Sequence, residues 1–161
     1  MFKFFRILLM SVLVIVSACS EEEQTPQTPK KLEAVFTSPD GSVTRHTYNI
    51  EVADTQDKMY RGLMGRTSID DNYGLLFDIN ILPKDTDVAF WMKDTLVALD
   101  MIFVDDEGKV FFIFGNARPN DTTPIIPSAR PRAVLEVKAG QTDIHNIQIG
   151  DILKADLLGN K

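Results

Sequence analysis

Cysteine, histidine and tryptophan are almost missing from this 161-residue chain, which holds one, two and one of them respectively. A single thiol closes no internal disulfide, so the fold must stand on its own core. The two imidazoles fall in no zinc-ligand spacing: His46 occupies an alternating, solvent-facing strand position and His145 a polar turn. No G-x-S-x-G elbow and no glycine-rich phosphate loop occurs. The familiar nucleophile and metal routes are left without support, and the sequence implies no cofactor. Positive charge is short as well, at 17 basic against 23 acidic residues, a formal net charge of -6 and a pI near 4.9. A phosphate-backbone binder concentrates positive charge, so nucleic acid is not an expected partner. Long apolar runs are also lacking, since residues 7–16, interrupted by Ser11, fall short of the about 20 that span a bilayer.

What is present is an ordinary globular balance, 44% hydrophobic and 25% charged, at a length that suits one core. The N-terminus carries an address. Lys3 and Arg6 precede the apolar run, and small residues follow it, which is the layout of an export signal. Val16-Ser17-Ala18-Cys19 resembles the bacterial lipobox, in which the cysteine is acylated and becomes the mature N-terminus. The expectation is a lipoprotein signal peptide at residues 1–18 and a lipidated Cys19 heading a flexible tether at 19–31. A single β-rich domain should follow at 32–161. Residues 20–31 hold three consecutive glutamates, two prolines and no aliphatic or aromatic side chain, so they cannot bury enough surface to order themselves. By resemblance to Gram-negative lipoproteins, Ser20 after the cysteine directs the chain to the outer membrane, facing the periplasm.

Period-two alternation dominates the domain. Strands are expected at residues 32–36 and 43–52 around the turn Ser38-Pro39-Asp40-Gly41-Ser42, and at 99–104 and 109–114 around Asp105-Asp106-Glu107-Gly108. Further strands are expected at 74–79, 88–92, 133–138 and 152–157. One helix stands out, capped by Asp54 or Thr55 and stopping near Gly62 or Gly65. The pattern reads as mostly β, a compact antiparallel β-sandwich or small barrel with one short helix. Residues 116–131, with four prolines, form a long surface excursion.

The unusual chemistry lies between Phe90 and Val104. In strand register Asp100 shares a face with Ile102 and Val104, while Leu99, Met101 and Phe103 point the other way. A carboxylate among apolar side chains needs a partner, and Lys93 and Arg61 are the expected cations. With Trp91 nearby, such a cluster suits either a polar or anionic ligand or a structural ion pair, the pair being the commoner outcome. Trp91 itself is expected as a core anchor. Met59, Met64, Met92 and Met101 offer soft thioethers for Cu(I), although four scattered methionines more often fill core gaps.

Arg61-Gly62-Leu63-Met64-Gly65-Arg66, Gly74-Leu75-Leu76-Phe77, Phe90-Trp91-Met92-Lys93-Asp94-Thr95 with Leu99-Asp100-Met101-Ile102-Phe103-Val104, Val134-Leu135-Glu136-Val137 with Ala139-Gly140, and Ile149-Gly150-Asp151 occur in order through nearly the whole domain. Together they resemble the family catalogued as domain of unknown function 192. That family occurs in bacteria and archaea, often behind an export signal, and the resemblance implies a compact mostly-β fold without an established reaction. Some members carry a cysteine pair near the loop after the central hairpin; Asn120 and Ser128 stand in that region here, so a thiol role does not transfer. The motif positions Arg61, Gly62, Met64, Trp91, Met92, Lys93, Thr95 and Asp100 are where the resemblance directs the search for a site.

The leading expectation is a lipid-anchored extracytoplasmic binding or accessory module, not an enzyme. Its candidate face is built from Arg61, Trp91, Lys93 and Asp100, and its partners are the membrane through Cys19 and a small polar ligand or envelope protein. The alternative is a small envelope hydrolase with Asp100 as general base and Arg61 or Lys93 stabilising a developing anion. Met-based Cu(I) handling is third.

Overall fold

Seven of the eight strands expected from the alternation form in a computed structural model that describes residues 32–159. The signal peptide, Cys19 and the tether lie outside the described residues. The strands are β1 (Leu32–Thr37), β2 (Thr44–Ala53), β3 (Tyr73–Asp78), β4 (Leu99–Val104), β5 (Val110–Ala117), β6 (Ala133–Lys138) and β7 (Ile152–Ala155). They build one curled half-barrel sheet in the order β5-β4-β6-β3-β2-β1-β7. At one end its two edges meet: Val110 donates its N–H to the Asp151 carbonyl at 2.8 Å, and Leu153 donates to Gly108 at 2.7 Å.

Both expected hairpins are present, β1–β2 and β4–β5. Five of the six neighbouring pairs are antiparallel, and β2–β3 runs parallel. A parallel pair needs a crossover, and α1 (Gln56–Arg61) supplies it. The helix starts at Thr55, whose Oγ1 accepts from the Lys58 N–H at 3.3 Å, and stops at Gly62, where φ is 47°. A second short helix, α2 (Gln141–Ile144), follows Gly140, which takes φ 85°. Single 3-10 turns follow β3 and β7, so the last strand ends at Ala155 rather than reaching residue 157.

The sheet has two packed faces. All seven strands contribute to an inner core that includes Phe36, Tyr48, Leu76, Ile102, Leu135 and Leu153. An outer core, with Leu63, Phe77, Met92, Met101, Phe103 and Val134, lies on the opposite face. β4 is therefore buried along its whole length, with Ile102 and Val104 inward and Leu99, Met101 and Phe103 outward. The face assignment made from register holds.

The segment 88–92 forms no strand. Phe90 makes an isolated antiparallel bridge with Ile125, and the chain around it crosses the outer face as loop. Its alternating residues look like a strand because every second side chain meets the outer core, yet a single bridged neighbour provides no ladder. The proline-rich excursion expected at 116–131 begins two residues later, since Asn116 and Ala117 end β5; beyond them it is irregular but not merely superficial. Ile125, Pro127 and Pro131 are buried, and Ile125 joins the outer core.

Candidate functional site

Between α1, the loop carrying Phe90 and Trp91, and the outer face of β3 and β6 opens a cleft of about 280 Å³. Its sheet side presents Phe77 and Glu136, its helix side Tyr60, Arg61 and Leu63, and its loop side Phe90, Trp91 and Thr95. Local sequence explains the opening. Gly62 turns the chain sharply after α1, and a Cβ there would sit 3.4 Å from the Phe77 Cζ and 4.0 Å from the Glu136 Oε2. A side chain at position 62 would crowd the base of the cleft.

Glu136 is the notable group. In β6, Ala133, Leu135 and Val137 face the inner core while Val134 faces outward, so the carboxyl at 136 also points outward. The residue is only 5% exposed and has no hydrogen-bond partner among the described residues. Burial alone pushes its carboxyl up from 4.5 to about 8. Near neutral pH it is therefore chiefly a neutral acid, able to donate a hydrogen bond or, when a cation arrives, to become its counter-ion. Composition did not expose it, although one signal did exist: Ala133-Val134-Leu135-Glu136-Val137 reads as a central strand, where a lone acid must find a partner or serve a purpose.

Of the candidates read from sequence, Arg61, Met64, Trp91 and Thr95 line this cleft. Arg61 is exposed and paired with Asp57 at 3.2 Å, one helical turn away. Thr95 is buried and holds the loop by donating its hydroxyl to the Lys93 carbonyl at 3.3 Å. Trp91 is 48% exposed on the rim rather than anchored in the core. Met92 takes the core position instead, and its N–H donates to the Asp121 carbonyl at 2.8 Å. Lys93 stands outside the cleft, solvent-exposed and paired with Asp94 at 3.2 Å.

Asp100 pairs with neither Lys93 nor Arg61. It is fully enclosed on the inner face, where Oδ1 accepts from the Asn116 N–H at 2.9 Å. Its Oδ2 accepts from the Thr142 N–H at 3.0 Å and the Thr142 hydroxyl at 2.7 Å. Backbone dipoles and a hydroxyl stabilise the anion in place of a cation. Gly115 lies beside it, where a Cβ would make an ordinary contact at 3.7 Å from Oδ1. Burial first, and the Asp100 charge second, hold the Tyr48 phenol above its ordinary range. Enclosed in this way, Asp100 has no access to substrate, and the general-base role sketched for it falls.

The two histidines meet, which neither local pattern predicts. Their rings stack with centroids 3.5 Å apart and planes 13° from parallel, and His46 is half-buried rather than solvent-facing. Among the methionines, Met92 and Met101 are core side chains and Met59 packs against the same cluster, the gap-filling role. Among the described residues no group of three or more His, Cys, Asp or Glu is placed to hold a metal ion.

Fold and cleft define a class: a small β domain built on one curled sheet, with a roofed outer face and a buried acid in the cleft beneath the roof. Within that class the chain belongs to the DUF192 family, described as Uncharacterized ACR, whose pattern matches residues 35–155. Comparison with curated proteins finds no match. The chain is also similar to solved structures, among them these two. One is a candidate transcription regulator from Sinorhizobium meliloti 1021, 29% identical with a TM-score of 0.71, covering 79% of this chain and 95% of that one. The other is a protein of unknown function from Novosphingobium aromaticivorans DSM 12444, 31% identical with a TM-score of 0.68, covering 81% of this chain and 89% of that one.

Proposed function

We propose that the protein is a lipid-anchored binding module of the bacterial cell envelope, tethered through Cys19 and facing the periplasm, with the α1 cleft as its ligand site. The observation that carries the binding reading is the unpartnered Glu136 carboxyl, 5% exposed, opening on the cleft. A carboxyl that no protein group occupies and that opens on a cleft is free to be completed by a ligand. The anchor rests on the basic start, short apolar run and lipobox-like exit at residues 1–19. Two or more acyl chains hold such a chain stably at a membrane, and Ser20 favours the outer one.

Two measurements test this reading. A thermal-shift screen of small polar compounds, run in parallel on the wild type and Glu136→Leu, should yield compounds that stabilise only the wild type. Identical responses from both proteins would remove the cleft as the ligand site. In cells, Cys19→Ser should move the protein from the membrane to the soluble fraction, and unchanged membrane retention would remove the lipid anchor.

A second reading, an envelope hydrolase, draws on the same carboxyl, because an acid held at about 8 is suited to protonating a leaving group near neutral pH. Turnover of a compound found in the screen, lost in Glu136→Gln while binding persists, would mark hydrolysis.

A further inference from the structure

The cleft's lining narrows the ligand. Four of its residues are aromatic, Tyr60, Phe77, Phe90 and Trp91, and Phe90 meets Phe77 edge to face with centroids 5.1 Å apart. The charged groups facing it are Glu136 on β6, Asp87 on the loop side and Arg61 on α1, and Tyr60 adds a titratable phenol. Arg61 is already compensated by Asp57 at 3.2 Å, which leaves Asp87 and, once ionised, Glu136 to set the charge of the cleft. Glu136 is unpartnered among the described residues and lies deepest, on the sheet side.

A buried acid without a counter-ion, a second acid and aromatic faces together make the surroundings that attract a positively charged nitrogen on an apolar body. A carboxylate ligand would meet Asp87 as a like charge, and Glu136 as another once that acid is ionised. A neutral alcohol would gain one hydrogen bond and leave the aromatic faces without a cation. We infer that the cleft binds an organic ammonium ion whose charged nitrogen pairs with the Glu136 carboxylate and whose apolar part packs on the ring of Trp91. The inference rests on the cleft being the ligand site and goes further by naming the ligand's charge class.

Pairing has a proton balance. Burial holds free Glu136 protonated up to about pH 8, whereas the bound form is a carboxylate. Below that pH, binding of an already protonated amine therefore releases one proton to solvent, and affinity rises with pH until Glu136 is ionised in the free protein.

Phenethylamine, 2-phenylethanol and phenylacetate are matched probes of positive, neutral and negative charge. Trp91, the single tryptophan in the chain, reports binding at the rim by its fluorescence. Phenethylamine should bind at least tenfold more tightly than the other two at pH 8.5. Its affinity should rise by about tenfold per pH unit between pH 6 and 8, levelling above. Calorimetry at pH 6.5 in buffers of different ionisation enthalpy should count about one proton released per ligand. Glu136→Gln, isosteric with the protonated acid, should lose at least tenfold in affinity together with the pH rise and the proton release. Asp87→Asn, an exposed change that spares the fold, should weaken binding by less.

Equal or tighter binding of 2-phenylethanol or phenylacetate would overturn the ammonium assignment while leaving the cleft a binding site. Amine binding that survives unchanged in Glu136→Gln would overturn it too. Silence from phenethylamine at pH 8.5 would also overturn it, and the Glu136→Leu thermal-shift comparison, which uses none of these probes, would then decide the binding reading separately.

Discussion

Asp100 and Glu136 are both buried carboxyls on neighbouring strands, one register step apart, since Asp100 pairs with Val137 and Met101 with Glu136. They face opposite sides of the sheet and meet opposite treatment. Asp100 accepts three hydrogen bonds in an enclosed site, whereas Glu136 accepts none from the described residues and borders open space. A charge in a core does not by itself mark a functional site; an acid without a partner beside open space is the stronger candidate.

The sharpest way to break the comparison is to remove Asp100. Asp100→Ala leaves two backbone N–H groups and the Thr142 hydroxyl without their acceptor. It should cost about 3–5 kcal/mol in urea unfolding. An unchanged unfolding midpoint would erase its structural role.

Glu136 should behave in the opposite manner. Its carboxyl titrates near 4.5 when unfolded and about 8 when folded, so between those values the folded state binds the extra proton. Its contribution to stability is complete below 4.5, falls as pH rises through the window, and is gone above 8. Relative to Glu136→Gln, the wild type should therefore lose on the order of a few kcal/mol between pH 5 and pH 8. Unfolding measured at both values checks this, and a flat difference would mean that the acid has a partner. The smallest effect belongs to Gly62→Ala. Its φ of 47° is strained for any side chain, and the added methyl would approach Phe77 at 3.4 Å, for a cost of about 1–3 kcal/mol. The same change should weaken phenethylamine binding by narrowing the cleft beside Glu136; undiminished binding would move the site elsewhere.

Much of the architecture was legible. Turn chemistry at Ser38–Ser42 and Asp105–Gly108 announced both hairpins, and alternation assigned the two faces of β4 correctly. Thr55 and Gly62 bracket α1 as their capping preferences require. The parallel β2–β3 pair was not legible, because alternation states which way side chains point and not which neighbour a strand chooses. Trp91 and Met92 show the same limit at finer scale: of two adjacent apolar residues on a loop, Met92 enters the core and Trp91 stays on the rim, and no local pattern says which.

By itself the sequence determined strands, hairpins, helix ends and the two-sided burial of β4, because these depend on neighbours a few residues apart. Tertiary structure alone decided which acid is satisfied. The donors to Asp100 come from positions 16 and 42 residues further along the chain, whereas Glu136 has Gly62, just past α1, brought beside it without a side chain. Distances of that kind are set by how the sheet curls and what roofs it, and no local pattern carries them.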